Sequence, residues 1–205
     1  MLAVNQLACH RGLSPLFTNL NFSLNSGEMI YLKGANGSGK TSLLRIIAGL
    51  STQDFGTISW DGFDICSTRE EYASHLLYIG HAPSVKEDLK VAENLMTSLR
   101  IGGVNPSDDM ISEALSEVGL NKRKSLPTRV LSQGQKKRLA LARLWIDHRR
   151  LWILDEPFNA LDIEASKWLE SQLEKHLSRG GMVMLTSHHP PNIGPDKVRE
   201  LSLSA

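Results

Sequence analysis

The octapeptide Gly34-Ala35-Asn36-Gly37-Ser38-Gly39-Lys40-Thr41 constrains this chain more than any other stretch. It sits between an apolar run, Glu28-Met29-Ile30-Tyr31-Leu32, and a second apolar stretch from Thr41 to Ala48. Its spacing fits G-x-x-x-x-G-K-[ST], a loop whose backbone N–H groups cradle the phosphates of a nucleotide. Phosphates crowd negative charge against the main chain, and glycine lets the backbone curl towards them with no Cβ in the way. The flanking runs are expected to form a buried strand and a helix whose positive N-terminal end meets the anion. Lys40 is then placed to reach the β and γ phosphates. The Thr41 hydroxyl is placed to ligate magnesium, with Ser42 beside it in the nucleotide site. Four fixed positions match by accident in roughly one chain of this length in a hundred at ordinary glycine usage, and the strand and helix context lowers that further.

Leu151-Trp152-Ile153-Leu154 precede Asp155 and Glu156. Four apolar residues in a row predict a buried parallel strand, and ligands of open α/β sheets bind at the carboxyl ends of such strands. Asp155 is placed to hold magnesium through water, and Glu156 to polarise an attacking water as general base. A lone Asp-Glu is more often a solvated strand end; the glycine loop argues for the chemical role.

About twenty residues ahead of that strand lies Leu131-Ser132-Gln133-Gly134-Gln135, followed by a predicted helix from Gln135 to about Asp147. Ser132 can cap free N–H groups there and present them to an anion. His188 follows another predicted buried strand, Met182 to Thr186, after a Gly180-Gly181 turn. Its neighbour His189 makes a pair, but no third His, Cys or carboxylate stands at ligand spacing, so no metal beyond magnesium is expected.

With the phosphate loop before it, and Asp155-Glu156-Pro157, Ala160-Leu161-Asp162 and Ser187-His188 after it, this series resembles the ATP-binding subunit of ABC transporters from end to end. The resemblance implies an α/β P-loop NTPase of the ABC ATPase type, with a RecA-like core, an N-terminal antiparallel β-subdomain and a helical subdomain. Residues 1–205 would then be one ABC ATPase domain, with 1–84 and 146–205 as the catalytic lobe and 85–145 as the helical lobe. The implied cofactors are ATP and Mg2+. The family pentapeptide is usually Leu-Ser-Gly-Gly-Gln, and here Gln133 takes the third position. Ser132 and Gly134 would contact the γ phosphate held by another subunit, with Gln133 and Gln135 in the same nucleotide-binding loop, so the resemblance implies a homodimer closed by ATP and seated on integral membrane permease subunits. His188 would be the histidine that contacts the γ phosphate and reports its loss.

Two positions depart from the family pattern. A glutamine that touches magnesium and couples to the membrane partner normally lies thirteen residues before the Asn of a Val-x-Glu-Asn segment, and counting back from Asn94 gives His81, for either role. The stretch Tyr78-Ile79-Gly80-His81, with Lys86, Leu89 and Glu93-Asn94-Leu95, resembles the ATP-binding subunits of the cytochrome c maturation system, often described as a haem exporter. The second departure is at the base: family members usually stack adenine on an aromatic near residue 11, whereas this chain has His10-Arg11-Gly12, leaving Arg11 or His10 to stack instead. The resemblance implies a motor ATPase for cytochrome c maturation that moves haem or releases a haem-loaded chaperone, meeting haem only indirectly. Another small transport ATPase, or an ABC ATPase with no membrane channel, remains open at this point.

The 205 residues, 41% of them apolar, can bury a substantial core. A net charge of +1 gives no electrostatic case for nucleic acid. The clusters Lys122-Arg123-Lys124 and Lys136-Lys137-Arg138 are short and are expected to be solvated faces or helix ends rather than a phosphate track. Cys9 and Cys66 form no CxxC pair. No apolar run approaches the ~20 residues that span a bilayer, and the N-terminus lacks a signal pattern. The chain is therefore expected to be cytosolic, and the resemblance implies the cytoplasmic face of the inner membrane, as a peripheral subunit. Along the chain, Gly56–Trp60 and Phe63–Ile65 are predicted to form a hairpin through Asp61-Gly62. Helices are predicted over Val91 to Arg100, from Asn105-Pro106 to a stop at Gly119, and after a cap at Asp162, with Trp168 in the core.

Overall fold

The computed structural model describes residues 1–12, 14–188 and 190–203, which fall into two compact units. The first comprises Met1–Tyr78, Arg149–Glu156 and the chain from His176 onward. Its N-terminal strands are β1 (Leu2–Arg11) and β2 (Ser14–Leu24), followed by β3 (Met29–Lys33), the helix α1 (Lys40–Ile47), β4 (Phe55–Trp60) and β5 (Phe63–Asp64). Strands β2, β1, β4 and β5, in that order, make an antiparallel sheet. The hairpin between β4 and β5 turns as expected, with Asp61 and Gly62 at φ of 50° and 91°, the left-handed pair that a two-residue hairpin requires.

The continuous apolar runs form the other sheet. After α2 (Arg69–Ser74) come β6 (Leu76–Ile79), β7 (Leu151–Leu154), β8 (Met182–Thr186) and β9 (Val198–Ser202). The order is β6-β7-β8-β3-β9, and β7, β8, β3 and β9 pair in parallel. Every residue of β7 and β8 is buried, as parallel strands covered on both faces must be. Full burial of a large aliphatic side chain contributes about 1.5–3 kcal/mol. One apolar core joins Leu2, Leu24 and Ile58 of the antiparallel sheet to Ile30, Ile153 and Met184 of the parallel one, with Leu43 and Ile47 of α1 packed among them.

The second unit, Ile79–His148 with Pro157–Lys175, is helical. It holds α3 (Val91–Ile101), α4 (Asp108–Glu117), α5 (Gln133–Leu141), α6 (Arg143–Ile146) and most of α7 (Ile163–Ser178). Val91, Leu95, Ile111, Leu115 and Leu139 form its core, with Trp145 and Trp168 half-buried against them. Two helix boundaries differ from the sequence reading. Helix α4 begins at Asp108 rather than at Asn105-Pro106, because the Ser107 hydroxyl accepts from Met110 N and is the better cap. The expected helix from Gln135 to Asp147 starts instead at Gln133 and breaks at Ala142, where the ladder tightens and Trp145 N bonds the Ala142 carbonyl at 3.2 Å. Asp162 caps α7 as expected, its Oδ1 accepting from Ala165 N at 2.8 Å. Among the described residues no helix is long and apolar enough to cross a membrane.

Asp61 ties the hairpin to two other parts of the first unit. Its carboxylate accepts from Arg150, just ahead of β7, at 2.7 Å and from the N-terminal ammonium at 2.5 Å. The Arg150 hydrogen bond, followed by that of the N-terminus, draws its pKa from 3.8 down to about 2. A depressed carboxylate pKa contributes stability above the unfolded value and loses it as pH falls through the folded one. Asp61→Asn is therefore expected to lower the melting temperature at pH 7, with the difference from the unaltered protein vanishing as pH approaches 2. Because the carboxylate is half-exposed and screened, the loss at pH 7 is about 0.5–1 kcal/mol. Thermal melts across pH 2–7 measure it.

Candidate active site

Three adjacent parallel strands deliver three segments to one edge of the sheet. β3 runs into the glycine loop, β7 into Asp155-Glu156, and β8, lying between them, into Ser187-His188. The parallel pairing puts all three carboxyl ends together.

In the glycine loop, Gly39 is the N-cap of α1 at φ 92°, and a Cβ there would lie 3.0 Å from Leu16 Cβ and 3.1 Å from the Phe17 ring. Only glycine satisfies both that dihedral and that approach of β2. The Lys40 ammonium donates to the carbonyls of Gly34 at 2.7 Å and Ala35 at 3.0 Å, drawing the loop into a closed curl. No acidic residue occupies the first turn of α1, so its positive end is uncompensated by the helix itself. Gly37, Ala35 and Asn36 are exposed along the loop, and Ser42 is half-buried one residue into the helix from Thr41.

Asp155 and Glu156 are both buried, at 1% and 8% exposure. Thr41 Oγ1 donates to Asp155 Oδ2 at 2.9 Å, bringing the loop and the β7 carboxylate together as the sequence predicted. Glu156 has φ 47°, a left-handed conformation that non-glycine residues rarely adopt and that clusters at functional sites. Its Oε2, and Ser38 Oγ in the loop, are buried without a hydrogen-bond partner among the described residues. Buried polar atoms of this kind are expected to be satisfied by a ligand or ordered water. A hydroxyl beside a carboxylate is a set of hard oxygen donors, which suits Mg2+ held by few protein ligands together with substrate phosphates. Among the described residues no group of three His, Cys, Asp or Glu could hold a metal unaided.

His188 is exposed, two residues past the end of β8, and His189 lies outside the described residues. The buried Tyr31 hydroxyl donates to the Ser187 carbonyl at 2.9 Å, fixing the segment that leads to His188. Burial first, then the carboxylates of Glu200 and Glu156, push the Tyr31 pKa up. Arg11 is the exposed last residue of β1, while His10 is held by Asp54, which accepts from its backbone N at 2.6 Å and approaches Nδ1 at 3.2 Å.

The second unit carries Ser132 as the N-cap of α5. Ser132 Oγ accepts from Gln135 N at 3.2 Å and Gln135 Oε1 accepts from Ser132 N at 3.1 Å, a reciprocal capping box. Gln135 thus has a local partner that the sequence reading did not foresee, although serine with glutamine three residues on is its signal. Gln133 is exposed in the first turn, which holds no acid. A Cβ on Gly134 would lie 2.6 Å from the Ala160 carbonyl oxygen, so these two backbones touch.

The Lys136-Lys137-Arg138 cluster is not the solvated face expected. Lys136 pairs with Glu87 at 2.6 Å, Lys137 is 3% exposed, and Arg138 Nη1 donates to the Val118 carbonyl at 3.3 Å. The helix turns these side chains inward onto its own unit, where each meets an acceptor. His81 belongs to this unit and is exposed, its carbonyl accepting from Lys137 Nζ at 3.5 Å. Thr186, at the end of β8, had escaped the sequence reading as a functional candidate. It donates to Asp155 Oδ1 and accepts from Glu156 N, both at 2.8 Å. A polar residue closing a run of four buried apolar ones was its only trace.

A family model described as ABC transporter matches residues 17–159. The cytochrome c biogenesis ATP-binding export protein CcmA of Nitrosomonas europaea is 46% identical over 204 residues, covering 100% of this chain and 96% of that protein. Its namesake in Escherichia coli K12 is 42% identical over 204 residues, with 100% and 97% covered. Among solved structures, an ATP-binding subunit of an ABC transporter superposes with a TM-score of 0.81 at 27% identity, covering 92% of this chain and 79% of that one. An ATP-binding cassette solved as a dimer in a post-hydrolysis state with ADP and phosphate gives a TM-score of 0.77 at 21% identity, covering 92% and 88%; at that identity the likeness speaks to fold.

The close approach at Gly134 yields a direct expectation. Gly134→Ala places a methyl against a backbone oxygen that has no rotamer to escape into, which destabilises by about 1–3 kcal/mol. A lowered melting temperature for this variant is the expected outcome, with Gln133→Ala, at an exposed position, melting close to the unaltered protein.

Proposed function

The chain belongs to the ABC transporter family of ATP-binding subunits, and from that membership we propose that it hydrolyses ATP as the motor of a membrane complex for cytochrome c biogenesis. The observation that carries the hydrolytic reading is the hydrogen bond from Thr41, in the first turn of α1, to Asp155 at the end of β7, with Glu156 next in the chain. The full-length identity to cytochrome c biogenesis export proteins carries the pathway. In the finer reading, the work done is movement of haem or release of a haem-loaded chaperone, with haem touching other subunits. The chain acts as a peripheral subunit on the cytoplasmic face of the inner membrane, against integral permease partners.

Each residue has a definite task. The backbone N–H groups from Gly34 to Lys40 and the positive end of α1 receive the phosphates, and the Lys40 ammonium exchanges its carbonyl partners for β and γ oxygens. Thr41 and Asp155 would hold Mg2+, which when bound neutralises charge on the phosphate oxygens. Glu156 accepts a proton from the attacking water through the buried Oε2, which has no hydrogen-bond partner among the described residues. His188 contacts the γ phosphate, Arg11 or His10 meets the base, and His81, at the position where the family usually carries glutamine, serves magnesium or the membrane partner. Ser132, Gln133 and Gly134 meet the γ phosphate held by a second copy, with Gln135 bracing the loop through its capping box. Two ATP molecules then close a homodimer, and hydrolysis reopens it.

Lys40→Ala and Asp155→Ala each remove charge stabilisation of the transferring phosphoryl group and are expected to lower turnover by at least about a hundredfold; unchanged phosphate release by either purified variant would sink the site assignment. Glu156→Gln keeps the shape but removes the base, so ATP stays bound. Sizing chromatography with ATP and Mg2+ is expected to show a persistent dimer for this variant, and Ser132→Arg added to it is expected to return a monomer that still binds ATP. A Glu156→Gln protein that binds ATP yet stays monomeric counts against the composite site.

A further inference from the structure

Thr186 has no exposed surface, and the register of the sheet explains why its hydroxyl is where it is. Leu154 of β7 pairs with Leu185 of β8, so the next residues, Asp155 and Thr186, emerge side by side; across β8, Thr186 pairs with Leu32 just ahead of the glycine loop. A threonine hydroxyl offers one proton and two lone pairs. A backbone N–H can only donate, so the bond from Glu156 N occupies a lone pair and the proton is committed to Asp155 Oδ1, each at 2.8 Å. The other Asp155 oxygen takes the Thr41 proton at 2.9 Å. The carboxylate is thus held at both ends, and its direction is set as much by Thr186 as by Thr41.

The same hydroxyl acts on Glu156 through the backbone. Residues other than glycine persist at a left-handed φ only where their surroundings over-determine it, and Glu156 sits at 47° with its N–H bound to Thr186. Releasing that N–H frees the peptide that aims the side chain. Ser187, the residue after Thr186, is also fixed, its carbonyl accepting from Tyr31 OH at 2.9 Å. A threonine that only satisfied its own buried hydroxyl would need any one nearby carbonyl. This one spans two consecutive acidic residues.

We propose that Thr186 is a positioning residue for ATP hydrolysis, its hydroxyl holding the Asp155 carboxylate and the Glu156 backbone in the arrangement the reaction uses. The inference rests on the reading that Asp155 and Glu156 serve hydrolysis. Thr186→Val keeps the branched shape of a strand residue and removes only the hydrogen bonds. Hydrogen bonds to charged groups are worth roughly ten- to a hundredfold in an equilibrium or a rate, so kcat is expected to fall by about that factor. KM for ATP stays within about twofold, because the glycine loop is untouched. Thr186→Ser restores the hydroxyl and is expected to recover most of kcat although it loses the methyl. A purely structural threonine would behave oppositely: Val and Ser would both lower the melting temperature, with no split between kcat and KM and no rescue by Ser.

A Thr186→Val protein with the kcat of the unaltered enzyme overturns the proposal. Should Val fail to fold by circular dichroism, Thr186→Ala makes the same comparison with room for a water, and full turnover there overturns it equally. Glu156→Gln is assayed alongside. If it still turns over ATP, the catalytic reading falls and the proposal with it; if it is inactive while Thr186→Val is fully active, only the role of Thr186 falls.

Discussion

The Asp155 carboxylate holds together segments that lie 114 and 31 residues away in the chain. A buried ionised group is tolerated only where it is hydrogen-bonded or paired, and here each of its oxygens accepts from a hydroxyl. Those two hydroxyls come from opposite sides: Thr41 from the helix that leaves the glycine loop, Thr186 from the strand lying between β3 and β7. The sheet order is what makes this possible, because β8 separates the strand of the phosphate loop from the strand of the carboxylates. Any slip of β8 by one residue would carry Thr186 to the other face and break both bonds.

Burial and chemistry therefore share one cause. The runs Leu151–Leu154 and Met182–Thr186 are wholly buried, as parallel strands covered on both faces are, with the antiparallel sheet and α1 packed against Ile153 and Met184, and their rigidity fixes where the polar residues at their ends emerge. The site is assembled at strand ends, with the glycine loop as the one flexible-sequence element, and that loop is itself held by Lys40 bonding to its own carbonyls. A scaffold of packed strands positions oxygen atoms more narrowly than loops do. It also explains why Glu156 can occupy a strained φ: the strand before it and the Thr186 hydroxyl above it leave the peptide no alternative.

Much of this was legible in the residues because local rules happened to agree with the fold. Glycine spacing marks a phosphate loop, an unbroken apolar run marks a buried strand, and Asp61-Gly62 marks a tight hairpin. What escaped depends on long-range packing. Nothing local distinguishes Thr186 from another threonine at a strand end, since its importance comes from a neighbour 31 residues away. The inward turn of Lys136, Lys137 and Arg138 was hidden for the same reason: a basic run looks solvated until the acceptors Glu87, the His81 carbonyl and the Val118 carbonyl are brought to it. The break at Ala142 has no helix-breaking residue to announce it, only a change in hydrogen-bond spacing.

The structure also gives a physical reason for the glutamine that stands third in Leu131-Ser132-Gln133-Gly134-Gln135. Gln133 is the first residue of α5 in ordinary helical conformation, and it is exposed, so a side chain there meets no backbone and needs no glycine. The fourth position is different, because the Ala160 carbonyl lies where a Cβ would be. Ser132 Oγ accepts from Gln135 N, so it leaves the N–H groups of Gln133 and Gly134 in the first turn uncapped. A side chain at 133 leaves its own N–H unchanged; one at 134 would push the turn off Ala160 and misdirect both. The two middle positions of the pentapeptide are thus under unequal constraint, and the chain varies the one that geometry leaves free.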